Sequence, residues 1–272
     1  MSDATPDPTS ETSPDSARSV LVTGGNRGIG FAISAALLAE GAHVVVANLD
    51  PGRNAQAIER LHAHSNASVL GVPTDLNDAT AVENLFKKTL AEFSRLDILV
   101  NNATNVSAGG FFGMTEDNWD HAFDHKLRGT VRCIRHAVPP MRERQWGRIV
   151  NLSGGAAWTP QLGAITTGLN NAAVQNLTVA LAAELGKDGI LVNAVVPTAV
   201  RTERHDSNIR ATMIRTGQSE AEVLKPRVAK IPLGRMGTPE EIAAVVTFLS
   251  SQRASFVTGS AWAVDGGVSA RL

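Results

Sequence analysis

The 272-residue chain contains no tyrosine. No phenol is therefore available anywhere as an acid, a base or a phosphate acceptor. Cysteine is nearly absent as well, since Cys133 stands alone. That excludes an intramolecular disulfide and suits a reducing, cytoplasmic setting. Val131, Ile134 and Ala137 lie beside Cys133 at helical spacing, so a packed, inert thiol is expected rather than a nucleophile. No apolar run approaches the roughly 20 residues that cross a bilayer, and no membrane partner is expected. Lys and Arg number 25 against 26 Asp and Glu, and no basic stretch alternates with aromatics. Nucleic acid is therefore not an expected partner either. Residues 1–17 are rich in Asp, Ser, Thr and Pro and lack the basic start and apolar centre of a secretory leader. They read as a disordered tail.

What is present is an alternation. Short apolar runs at Val20–Thr23, Val44–Ala47, Val69–Pro73, Leu96–Val100, Arg148–Leu152 and Leu191–Val195 have strand character. Helical spacing fills the gaps, at Gly28–Glu40, Asn54–His64 and Ala79–Phe93. Strands alternating with helices imply right-handed βαβ units, and strands apolar throughout imply helices on both sheet faces. The expected fold is a doubly wound, Rossmann-type parallel sheet of about seven strands in a single domain, 18–272. Residues 199–231 break the alternation and read as a mobile segment. Thr238 and Pro239 suit the N-cap and first turn of a helix beyond it.

Gly24, Gly28 and Gly30 follow a strand and open a helix. Glycines there permit a tight turn and close backbone approach, and a helix N-terminus attracts a pyrophosphate. The stretch Thr23–Gly30, the run Asn101-Asn102-Ala103 and the segment Val264-Asp265-Gly266-Gly267 resemble the short-chain dehydrogenase/reductases over roughly residues 18–268. The resemblance implies NAD(P) binding by Gly24, Asn26, Arg27, Gly28, Ile29 and Gly30 in the turn. It adds Asn48 after the second strand, Asp75 and Leu76 after the third, and Asn102 and Ala103 after the fourth. Pro197, Val200 and Thr202 then flank the nicotinamide, and 199–231 forms a lid over a small-molecule substrate. Asn48 stands where NAD binders place an acid. Together with Arg27 and Arg53 this favours NADP over NAD. A homo-oligomer, dimer or tetramer, is also implied, and the Ala-rich helical stretch Leu169–Ala182 suits a buried interface.

That family reduces carbonyls with Tyr, Lys, Ser and a helix Asn. Here the Tyr place falls at Thr167, the Lys place at Asn171, the Ser place at Gly154 beside Ser153, and the Asn place at Lys126. A positioned general acid contributes about 10²–10⁴ in rate, roughly 3–5 kcal/mol of barrier, and a Thr hydroxyl cannot replace a phenol. Lys126 and Asn171 look exchanged relative to the family pair. Lys126 is then either an acid, base or amine nucleophile in a pocket or a solvated helix lysine beside His125 and Arg128. His205 in the lid is either a substitute acid or a surface histidine. His121 and His125 share a helix face, yet without a third ligand at a recognisable spacing no metal is expected. Trp158, Phe111, Phe112 and Met114 suit an aromatic substrate lining or ordinary packing. Three functions stay open: an atypical enzyme on this scaffold, a non-catalytic NAD(P)-binding subunit, and an ordinary carbonyl reductase.

Overall fold

Seven parallel strands form one sheet of order β3-β2-β1-β4-β5-β6-β7. They are β1 (Ser19–Thr23), β2 (His43–Asn48), β3 (Val69–Pro73), β4 (Ile98–Asn101), β5 (Gly147–Leu152), β6 (Ile190–Pro197) and β7 (Ala261–Val264). The structure, a computed structural model, describes residues 17–63, 67–104 and 109–269. All but the last residue of the expected tail lies outside these.

Alternate side chains of each strand point to opposite faces, and each face has its own core. Val20 and Val44 meet α1 (Gly28–Ala39) and α9 (Pro239–Ser250) through Ile33, Leu37, Ile242 and Val246. Leu21, Val45, Leu99 and Ile149 point the other way. They meet α3 (Ala79–Phe93), α5 (Gly129–Glu143) and α6 (Ile165–Leu185) through Leu85, Ile134 and Leu185. Helices on both faces explain why the inner strands carry no polar alternation. Cys133 is fully buried in the second core, and burial pushes its thiol up to about 12.

Three boundaries differ from the sequence reading for local reasons. The second helix, α2, spans Pro51–His62 rather than starting at Asn54. Asp50 accepts from the Arg53 N–H and Pro51 fills the first turn, so capping moves the start back. Strand β4 begins at Ile98, because Asp97 is engaged at its mouth by Arg95 and the Ser19 N–H. Residues 199–231, which break the strand–helix alternation in the sequence, hold two capped helices, α7 (Glu203–Thr216) and α8 (Glu220–Val228). Arg201 joins them through Asp206 and Glu220. At α9 the expected cap is present, with Thr238 and Glu241 exchanging side-chain and backbone bonds. Among the described residues no helix is long and apolar enough to cross a membrane.

Candidate functional site

Strand order reverses between β1 and β4. In such sheets the crevice at the carboxyl ends of these strands is where ligands bind. Here it holds a cavity of about 630 Å³. Its floor is the glycine turn. Gly24 and Gly28 have φ of +65° and +52°, which L side chains rarely adopt. A Cβ on Gly30 would overlap the Gly24 carbonyl and the Asn102 amide, so only glycine lets the helix approach the strand. Asn102 Nδ2 holds the turn by donating to the Thr23 and Gly24 carbonyls, at 3.0 and 3.2 Å. The Thr23 hydroxyl accepts from the Asn102 and Ala103 N–H groups.

Two observations fit a dinucleotide. Helix α1 starts at Gly28 with no side-chain cap and no acid in its first turn, leaving its N–H groups for an anion. Asn26 is buried in the cavity wall, and neither its amide oxygen nor its nitrogen has a partner among the described residues. Such orphaned atoms are costly unless a ligand meets them. Asn48, Asp50, Arg27 and Arg53 line one end of the cavity, and Asp75 and Leu76 line the side. Asp50 is spent on capping α2, and its own N–H donates to Asn48 Oδ1 at 3.0 Å. Thr202 closes over the turn, with its methyl 3.6 Å from the position of a Cβ on Gly28.

His121 and His125 also wall this cavity. Desolvation, aided by His121, lowers the pKa of His125 against the pull of Asp75. Among the described residues no group of three His, Cys, Asp or Glu side chains is placed to hold a metal. These histidines lie on α4 (Glu116–Phe123) and on the wide π turn Asp124–Arg128 that follows it. π turns inside helices recur at functional sites.

Lys126, on that turn, is not a solvated helix lysine. It is buried, with 6% of its surface exposed, and desolvation lowers its pKa to about 8. Its amine donates to Asn171 Oδ1 at 2.5 Å. A protonated amine can only donate, so the Asn171 oxygen must face it and the Asn171 NH₂ must face away. The NH₂ faces Gly154: a Cβ there would stand 2.8 Å from Asn171 Nδ2. Ser153 is buried beside them. Its hydroxyl donates to the Asn171 carbonyl at 3.1 Å and accepts from Gln175 Nε2 at 2.9 Å. Trp158 Nε1 in turn donates to Gln175 Oε1 at 2.6 Å.

The expected site residues thus fall into two groups. Gly24 to Gly30, Asn48, Asp75, Leu76, Asn102, Ala103 and Thr202 meet in the crevice. Lys126, Asn171 and Ser153 meet where the π turn faces α6. Thr167 lies one helical turn before Asn171 on α6, half-buried. Pro197 ends β6, and Val200 pairs with Gly237. Beside them, Thr198 Oγ1 is buried with no hydrogen-bond partner among the described residues. His205 Nε2 lies 3.4 Å from the Arg227 guanidinium on α8. Phe112 is almost fully exposed and lines no described cavity.

Sequence reasoning did not find Gln175, the contact of Asn171 with Gly154, or Arg132. The Arg132 guanidinium donates to the Leu76 carbonyl and to Asp124, fastening the cavity wall to the π turn. Spacing along one helix carries no sign of such cross-element bonds.

The model of the family described as Enoyl-(Acyl carrier protein) reductase matches residues 24–269. A 3-oxoacyl-[acyl-carrier-protein] reductase of Staphylococcus aureus is 33% identical over 254 residues, 92% of this chain and 98% of that one. A 3alpha-hydroxysteroid dehydrogenase of Mediterraneibacter gnavus is 35% identical over 90% of this chain and 94% of its own length. Among solved structures, the L-sorbose reductase of Gluconobacter frateurii, complexed with NADPH and L-sorbose, superposes with a TM-score of 0.91. It is 29% identical and covers 94% of this chain and 98% of that one. A structure described as a short chain dehydrogenase/reductase family protein gives a TM-score of 0.80 at 36% identity. The match covers 94% of this chain and 99% of that one.

Proposed function

The chain belongs to the short-chain dehydrogenase/reductase family, and we propose that it is an NADPH-dependent reductase of a small carbonyl compound in which Lys126 and Asn171 replace the usual Tyr and Lys. The observation that carries this reading is the bond from the buried Lys126 amine to Asn171 Oδ1. Support for NADPH comes from Arg27 and Arg53 at the Asn48 end of the cavity, where the Asp50 carboxylate is engaged by the Arg53 N–H and guanidinium. The L-sorbose reductase that superposes on the chain also holds NADPH.

Bound NADPH supplies a hydride. The chain must supply the proton and polarise the carbonyl. Lys126 holds a proton at Nζ, and two of its N–H bonds have no acceptor among the described residues. An amine with a pKa near 8 is well matched to proton transfer near neutral pH. The Asn171 NH₂, pinned toward Gly154, offers a fixed donor where the family pattern places a Ser hydroxyl. Ser153 is committed to the Asn171 carbonyl and Gln175, so its role is to position Asn171. Thr167 leaves room instead of chemistry, and His205 takes no part.

Oligomer contacts follow the same reading. Leu169 and Val179 on α6 and Trp262 on β7 are exposed apolar side chains, suited to a dimer or tetramer interface. The domain is taken to run from 18 to 272 with α7 and α8 as its lid, in a cytoplasmic setting.

Nicotinamide fluorescence and a panel of ketones and activated dicarbonyls test the proposal. Saturable NADPH binding, tighter than NADH, with NADPH oxidation by at least one carbonyl is expected. Binding with no turnover on the whole panel would move the chain to the class of non-catalytic NADP(H)-binding subunits.

A further inference from the structure

A cavity of about 180 Å³ lies at the amino end of the sheet, opposite the dinucleotide crevice. The residues before β1, the start of β4 and the C-terminal ends of α1 and α9 border it. Thr247 and Ser250 of α9 line it, only 8% and 1% exposed, and neither hydroxyl has a partner among the described residues. Other helical hydroxyls of this chain behave differently. Thr89, Thr178 and Ser207 each donate to the carbonyl four residues back. Buried hydroxyls left open are costly unless something meets them.

The wall carries charge of both signs. Arg18, just before β1, and Glu40, just after α1, both line the cavity, and Glu40 acts on Arg18 through space without an ion pair between them. The Arg18 guanidinium lies 4.6 Å from the Trp146 ring centroid and that of Arg148 lies 4.4 Å from it, so two like charges crowd one ring. A carboxylate against Arg18 would relieve them. An ammonium suits the other side, where Glu40 and the C-terminal ends of two helices are negative. Leu37, Ala42 and Ile98 supply an apolar wall. The volume falls below the roughly 300 Å³ at which drug-sized ligand pockets begin, so the occupant is small. We propose that this cavity binds a free α-amino acid with a short apolar side chain, its carboxylate on Arg18 and its ammonium on Glu40, with Thr247 and Ser250 taking the remaining hydrogen bonds. The site goes beyond the carbonyl reductase reading and does not depend on it.

The test is calorimetric titration of the full chain, with no nucleotide added, using L-valine. Isovalerate, which lacks the ammonium, and isobutylamine, which lacks the carboxylate, are the other two arms. One saturable site per chain is expected for L-valine, about tenfold tighter than for either relative, the loss of one charged hydrogen bond. Glu40→Gln should abolish the preference for L-valine over isovalerate, and Arg18→Gln the preference over isobutylamine. Neither residue is buried, so both variants should fold. Isovalerate binding as tightly as L-valine would make this a plain anion site, and isobutylamine doing so a plain cation site. Either result overturns the proposal, as does the absence of binding at millimolar concentration, which leaves the cavity to water, or affinities indifferent to both variants. Failure of NADPH to bind would end the reductase reading and leave this titration unaffected.

Discussion

Lys126 Nζ donates to Asn171 Oδ1 at 2.5 Å, joining the π turn to α6. Two residues that look exchanged in the sequence are direct partners in space. A cation and an amide thus meet in one place, with the amide nitrogen toward Gly154.

Gly154 and Asn171 should therefore behave as a matched pair. Gly154→Ala places a methyl 2.8 Å from Asn171 Nδ2 and should destabilise the fold by roughly 1–3 kcal/mol, the usual range for overpacking. Asn171→Ala in the same chain should restore part of that loss. A double-mutant cycle in urea measures the coupling. Additive effects would mean that the two groups do not touch.

Burial of Lys126 also predicts a pH signature in stability. Its folded pKa, about 8, lies below the ordinary lysine value of about 10.4. The unfolded chain then binds more protons between these values, so the Lys126 contribution to stability rises as pH goes from about 8 to 10.4. Urea midpoints at pH 7.5 and 9.5 check this. Wild type should gain relative to Lys126→Met, and an equal pH slope in both would remove the buried cation from the account.

Cofactor preference should sit in two arginines. Arg27→Gln and Arg53→Gln should each weaken NADPH by about tenfold, the loss of one charged hydrogen bond to a phosphate, and leave NADH nearly unchanged. Fluorescence titration with both nucleotides reads the difference. Equal losses for both would place the arginines on the pyrophosphate instead.

Cys133 should be silent. Its thiol is fully buried and pushed up to about 12, so a disulfide reagent at pH 8 should find no thiol in the folded protein and one in urea. Prompt reaction of the folded chain would contradict the packing of α5.

The sheet was legible in the sequence because its signals are local. Apolar runs such as Val44–Ala47 and the glycines at 24, 28 and 30 each announce their own structure. The start of α2 was missed by three residues, since apolar spacing does not show the cap that Asp50 provides. The place of Lys126 was legible, but its burial was not. Charge at a helical position reads as solvated until the facing helix is known. Arg132 and Gln175 left no trace in spacing, because both act across elements. The contact of His205 with Arg227 on α8 is likewise one across elements that spacing does not show.

In the proposed reductase the Lys126 ammonium does the work of the absent phenol. The measurement that bears on it most directly is the pH dependence of kcat/KM for NADPH-driven carbonyl reduction, in wild type and Lys126→Met. Reduction needs the protonated amine, so the wild-type rate should be flat below about pH 8 and fall above it, in line with the lowered pKa. Lys126→Met should lose about 10²–10⁴ in kcat/KM, the usual worth of a general acid, along with the fall above pH 8, and still bind NADPH. A Lys126→Met enzyme with wild-type rate and pH profile contradicts the claim.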